Sequence, residues 1–306
     1  MSEGKGKVSN YFTYPLKFIS YRWYKPILVT LMAIVFYFCL VLVVALLARV
    51  LGGAAQAADV TGYDGVDMHT PGGIMLNMGS VAVMALALYF ASLVVKDRPF
   101  SSYSSSRGGW DFKIFFKCLA ITFFVVVIPN TIIAIVQEGG IHFDNRMGLM
   151  GFVFLFALVP LQCIAEEYIF RGLLTQTIGS WIKMPIVAII LQTILFTLGH
   201  PYNVAGKVEI FLSGTLMGIM TLLTNGLEAS SAAHVANNLT FFLMNGFGMI
   251  KLTSDSTWDS TIGAFVIYAI YVLILYSLKK KGWFEHIQKD DVTIFNEKVL
   301  KKQNQV

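Results

Sequence analysis

The chain has 306 residues, 56% of them hydrophobic and only 13% charged, with a formal net charge of +5. Soluble domains carry about a quarter charged residues, so the composition argues against a soluble globular protein and for one polytopic membrane domain. The positive balance does not call for nucleic acid, since cytoplasmic loops of membrane proteins gather lysine and arginine. Cys39, Cys118 and Cys163 each lie in an apolar run without a C-x-x-C pair, which argues against a disulfide framework or a cysteine zinc cluster.

A helix needs about 20 apolar residues to cross a bilayer, and that ruler gives about eight spans. They cover 27–48, 74–95, 114–136, 148–170, 184–200, 208–224, 229–247 and 261–278. The basic, aromatic segment 1–26 precedes a first span too long for the core of a cleavable signal peptide, so that span is expected as a retained anchor. The loop "FSSYSSSRGG", Phe100 to Gly109, is expected as a flexible connection. Gly214 and Gly218 form a G-x-x-x-G in the sixth span, a pattern for close helix packing. The tail 279–306 opens with a lysine run and then alternates charged and apolar residues, as a short interfacial helix would.

With both termini inside, the cytoplasmic segments hold 19 of the 23 Lys and Arg residues, from Lys5 to Lys25, Lys96 to Lys117, Arg171, Lys183 and Lys279 to Lys302. Only Arg49, Arg146, Lys207 and Lys251 fall outside, where Asp59, Asp64, Asp67, Glu138, Asp144, Asp255 and Asp259 also lie. The expected fold is therefore all-α: a polytopic membrane domain over 27–278, about eight transmembrane helices, and both termini cytoplasmic. Trp23, Tyr24 and Trp283 sit near span ends as interfacial anchors.

Ionisable groups inside membrane helices are rare and face a bundle interior or a wet cavity. Here they concentrate in residues 166–238. In "IAEEYIFR", Glu167 and Arg171 are i and i+4 and share a face, while Glu166 is turned about 100° away from Glu167. Phe196 and His200 are also i and i+4, with Pro201 ending that helix. In "SAAHVANN", His234 and Asn238 present an imidazole and a carboxamide on one stripe, flanked by small residues that allow close approach.

The motifs "EEYIFR", "FTLGH" and "HVANN" resemble the E-E-x-x-x-R, F-x-x-x-H and H-x-x-x-N signatures of the CAAX protease and bacteriocin-processing (Abi) membrane peptidases, which include the type II CAAX prenyl endopeptidases. The resemblance covers about residues 110–250. It implies an intramembrane endopeptidase in which Glu166, helped by His200, activates water, and His234 and Asn238 stabilise the oxyanion. Glu167 and Arg171 would form a structural pair, with Phe196 in support. The implied substrate is a peptide or protein, membrane-bound, prenylated or of bacteriocin type, and no cofactor is needed. A desolvated glutamate suits general-base work near neutral pH, and a carboxamide and an imidazole N–H suit a developing negative charge.

Alternatives remain. Glu166, His200 and His234 could supply a zinc site with one open position, although no H-E-x-x-H is present. A non-proteolytic immunity factor, scaffold or proton-coupled transporter would also keep polar groups in the membrane, but the internal repeat common in transporters is missing. The charge pattern suits a bacterial plasma membrane; an endoplasmic reticulum membrane is the alternative. If residues 166–200 form a helical hairpin about Lys183, Glu166 and His200 both rise about 25 Å from its turn. His234 follows Glu228 by six residues and would lie shallower, unless the turn "TNGLEASS" dips into the protein or the fourth span kinks at Pro160.

Overall fold

The structure, a computed structural model, describes residues 8–52, 67–145, 147–251 and 256–305. Lys5, Asp59, Asp64, Arg146 and Asp255, used in the charge argument, lie outside the described residues. Among the described residues there is no strand. The long helices are α1 (Lys25–Val50), α2 (Pro71–Val95), α3 (Phe112–Gln137) and α4 (Leu149–Ile182). They are followed by α5 (Pro185–Leu198), α6 (Val204–Thr224), α7 (Glu228–Gly246), α8 (Trp258–Lys280) and α9 (Asp291–Gln303).

All eight expected segments are helical, but six of them, α1 to α4, α6 and α8, are long and apolar enough to cross a membrane. Helix α5 has only 14 residues, and α7 is rich in Ser, Asn and Ala rather than in large apolar side chains. In α1, Leu31, Val35, Phe38, Leu42 and Leu46 form an outward stripe more than half exposed, whereas Val29, Ala33, Val44 and Ala48 are buried. Large groups face lipid and smaller ones face protein, because lipid offers no hydrophobic penalty and close backbones gain packing.

Helix α7 is the central element, packed against α3, α4 and α6. Its first eight residues after Leu227 are all buried, from Glu228 to Val235, and their small side chains let neighbouring backbones approach. Helix α6 packs on α5 through the expected G-x-x-x-G: a Cβ on Gly218 would meet Ile189 Cγ2 at 2.8 Å, and one on Gly214 would meet Thr193 and Phe196.

The hairpin about Lys183 forms as expected. Lys183 takes the left-handed conformation (φ 59°), and Pro185 opens α5 with the fixed φ that suits a first helical turn. Helix α4, however, runs on to Ile182 as one helix of 34 residues instead of stopping near 170. Hydropathy falls there, but Thr175, Gln176, Thr177 and Ser180 are buried against protein, not lipid. A π-helical stretch, Tyr168–Leu174, interrupts α4 just after the paired glutamates.

The serine-rich loop is not a flexible connection. Ser102 to Arg107 are all buried, and the loop forms a strap over the α6–α7 turn. Leu227 N donates to Ser104 O at 2.8 Å and Ser106 N to Asn225 O at 3.1 Å. Arg107 donates to Glu228 Oε2 at 2.7 Å and to Thr224 O, and Asp111 N donates to Glu228 Oε1 at 2.9 Å. Tyr168 stacks between Phe100 and Trp110. Burial pushes the Asp111 carboxyl up, but bonds from Gln288 and the Ile114 and Lys113 amides, with the Arg107 charge, bring it below the ordinary carboxylate range. The "TNGLEASS" turn thus does dip into the protein, while Pro160 lies inside α4.

Both termini meet at this same end. Asn296 Nδ2 donates to Lys17 O at 3.1 Å, Phe18 and Phe295 pack edge to face, and Gln288 N donates to Arg107 O at 2.8 Å. The tail does form a helix, α9, tied to the strap by a bond from Ser101 to Asp291.

Removing Arg107 takes the counter-charge from the buried Glu228. Arg107→Met should therefore cost about 3–5 kcal/mol of stability. Lys207→Met, at an exposed lysine, should stay within about 0.5 kcal/mol. Thermal unfolding of the detergent-solubilised protein reads both, and equal midpoints would show that the ion pair carries no stability.

Candidate active site

Glu166 and Glu167 end the first regular α-helical part of α4, and the π-helical stretch follows at once. Such single-turn widenings cost hydrogen-bond geometry and are frequent at functional sites. Thr175 Oγ1 donates to Phe170 O at 2.8 Å, occupying a carbonyl within the stretch.

The two glutamates part company as their spacing suggests. Glu167 is fully buried, and its Oε1 accepts from Arg171 Nη1 at 2.9 Å. The same oxygen lies 3.0 Å from His234 Nδ1 on α7. Arg171 also donates to Gly214 O at 3.2 Å and lies over the Phe196 ring, 4.5 Å from its centroid. Phe196 thus supports the arginine rather than the cavity alone. Glu166 faces the cavity, with Oε2 at 3.4 Å from His234 Nε2.

The cavity has a volume of about 500 Å³. Glu166, His200, His234 and Asn238 all line it, so the three motifs converge. His200 follows the end of α5, and its Nδ1 lies 2.7 Å from Phe196 O. A carbonyl can only accept, so Nδ1 carries a proton and Nε2 is left free of that bond. His234 is held the same way: Nδ1–H donates to Glu167, which leaves Nε2 toward Glu166. His234 Nε2 and Glu166 Oε2 are therefore close enough for the two side chains to act on the same substrate or water.

Direct contact therefore joins Glu166 to His234, while His200 meets Glu166 only across the cavity they both line. Asn238 is set by a chain of amides. Asn130 Nδ2 donates to Asn237 Oδ1 at 3.0 Å, Asn237 Nδ2 to Asn238 Oδ1 at 3.1 Å, and Asn238 Nδ2 reaches Gln162 Oε1 at 3.5 Å.

Sequence reasoning missed Gln162, Asn130, Asn237 and Glu209. Gln162 stands one turn before Glu166 in an otherwise apolar helix, a spacing that could have found it. Glu209 lines the cavity from α6 and accepts from Ser256 Oγ at 2.6 Å. A carboxylate inside an apolar run was its signal. Asn130 gave none, because spacing within one helix does not say which other helix it meets. Among the described residues, no three or more His, Cys, Asp or Glu side chains are grouped as a metal ion would require. Cys118 and Cys163 are buried and free, while Cys39 is exposed on α1. Cys163 donates to Gln162 Oε1 at 3.3 Å.

Residues 148–240 match the family model described as type II CAAX prenyl endopeptidase Rce1-like. The matched segment holds all three motifs, and it bears out the resemblance read from them. The uncharacterized protein YyaK of Bacillus subtilis (strain 168) is 28% identical over 165 residues, covering 50% of this chain and 54% of that relative. The chain thus spans about half the length of the curated relative it matches. No solved structure matches the chain.

The two glutamates should separate in stability measurements. Glu167→Gln takes the counter-charge from buried Arg171 and should cost about 3–5 kcal/mol. Glu166→Gln keeps the cavity wall and its shape, and should cost less than half as much. Denaturant or thermal midpoints in detergent check this; a larger loss for Glu166→Gln would reverse the division of roles.

Proposed function

We propose that the chain, whose α4–α7 segment is similar to the type II CAAX prenyl endopeptidases, is an intramembrane endopeptidase that hydrolyses a peptide bond by direct attack of water. The observation that carries this reading is the convergence of Glu166, His200, His234 and Asn238 on one cavity. It sits in a helical bundle where a polar cavity is costly unless used. The chain is a multi-pass protein of the cell membrane, a bacterial plasma membrane on the charge pattern, with both termini cytoplasmic. Its substrate is a membrane-associated peptide, of the prenylated or bacteriocin type that the resemblance names.

In this mechanism Glu166 takes a proton from water as the water oxygen bonds to the scissile carbonyl carbon. His200 Nε2 accepts the water's second hydrogen bond and fixes its position. The carbonyl oxygen gains the negative charge, and His234 Nε2–H with Asn238 Nδ2–H donates to it. Protonated Glu166 then gives its proton to the leaving amine nitrogen as the C–N bond breaks. Glu167, itself held by Arg171, keeps the His234 ring in the orientation this requires and balances the charge of a ring that carries both N–H groups. Two products leave, a carboxylic acid and an amine, with no covalent enzyme intermediate. The metal-free form follows the resemblance, and it is supported by the lack, among the described residues, of three or more His, Cys, Asp or Glu side chains grouped to hold a metal ion.

Cleavage of a peptide library by the purified, detergent-solubilised protein, read by mass, tests the reading. Glu166→Gln and His200→Ala should abolish cleavage, Asn238→Ala should lower kcat by about 10²–10³, and a strong chelator should change nothing. Loss with chelator and recovery with zinc would replace the glutamate mechanism with a zinc one. A wild type that cleaves nothing, with a cellular phenotype that survives Glu166→Gln, would make the polar cluster structural.

A further inference from the structure

The cavity is one-ended, and its open end is the one away from both termini. Most of its lining comes from the same half of each helix, with Met217 and His234 at its deep end. Asn77 comes from the start of α2, Glu138 from just past the end of α3, and Tyr202 from just past the end of α5. Gly206 comes from the start of α6, Phe241 from the later half of α7, and Ser260 from the start of α8. Because successive helices alternate in direction, all these positions lie at one end of the bundle. Gln137, Glu138 and Lys251 at this end are exposed, so the rim is polar and wet.

The opposite end is closed. Between the strap and His234, the α7 residues Glu228, Ala229, Ser230, Ser231, Ala232 and Ala233 are all 0% exposed. Arg107, Tyr11, Phe12 and Tyr103 above them are also 0% exposed. No residue of the strap, the N-terminal segment or the tail is among those lining the cavity. A peptide arriving from the end with the termini would have to break the buried Arg107–Glu228 pair and lift three packed segments.

We infer that the substrate reaches this site from the extracytoplasmic face, so that it is an exported or membrane-anchored peptide whose scissile bond lies on the outer side of the bilayer. The sidedness comes from charge: the closed end carries Lys17, Arg22, Lys25, Lys113, Lys117, Lys183 and the lysines of the tail, the pattern of a cytoplasmic surface. The inference rests on the proposed peptidase activity for its substrate, but its geometry stands without it. It also narrows the substrate class, because a prenylated C-terminus held in the cytoplasm would face the closed end.

Single-cysteine labelling and oriented vesicles test it. In intact cells, a membrane-impermeant maleimide should label Lys251→Cys as fully as it does after permeabilisation. It should leave Lys281→Cys unlabelled until permeabilisation; both are made in a Cys39→Ser background, whose own labelling, with Cys118 and Cys163 buried, sets the baseline. A soluble peptide cleaved by the detergent-solubilised protein should be cleaved when added to right-side-out vesicles, with loss of cleavage in inverted ones. Labelling of Lys281→Cys in intact cells, or cleavage by inverted vesicles, would overturn the inference. Cleavage by neither orientation, with activity in detergent, would also overturn it, in favour of entry from within the lipid. If the protein cleaves nothing even in detergent, the peptidase reading fails, while the labelling still decides which way the cavity faces.

Discussion

One carboxylate oxygen, Oε1 of Glu167, joins the first and third motifs. It accepts from Arg171 on its own helix and from His234 on α7, in a place with no exposure to solvent. An unpaired charge there would be costly, and a paired one repays its desolvation only when geometry is good and other donors are satisfied. Arg171 adds a bond to the carbonyl of Gly214 and lies on Phe196. Four helices, α4 to α7, are thereby fixed to one ion pair. Glu166 is released from structural work and can stand at the cavity wall against the same histidine.

The depth of His234 depends on a second buried ion pair. A helix that began at the membrane surface would carry His234 too shallow to meet Glu166. Helix α7 instead begins inside the protein, at Glu228, and its first carboxylate is neutralised by Arg107 from the strap. The strap also supplies backbone partners to the turn, through Ser104 O and the Ser106 amide. Irregular backbone at such a depth is tolerated only where protein covers it. The serines of the strap serve this end: they are small enough to bury and polar enough to satisfy their neighbours, as Ser104 does with Tyr168 at 2.6 Å.

What could be read from the sequence followed from what hydropathy and spacing measure. Apolar runs placed the helices, and i to i+4 spacing separated Glu166 from Glu167 and joined Glu167 to Arg171. The hairpin about Lys183 followed from equal counting on either side. The failures share one cause. Hydropathy reports contact with lipid and cannot separate protein-covered polar residues from solvated ones. Residues 171–182 therefore looked like the end of a span, and the serine strap looked like a flexible loop. Within-helix spacing also says nothing of which helices face each other. The contact between Glu166 and His234 was therefore not legible, although both residues were.

The distribution of burial has a functional consequence. Polar groups in a membrane bundle must be satisfied by protein or by water, and this fold uses each solution at a different end. At the end with the termini, three segments close over two buried arginine–carboxylate pairs, Arg98–Asp97 and Arg107–Glu228. At the other end the amides of Gln162, Asn237 and Asn238, together with Glu209, surround a cavity large enough for water and an extended peptide. The hydrolysis proposed above would need such an asymmetry. The motif residues must be held to a few tenths of an ångström by a rigid, dry framework, and water must still arrive at Glu166. Closing both ends would exclude the nucleophile. Opening both would admit water behind His234, weaken its bond to Glu167 and loosen the ring that must meet the oxyanion.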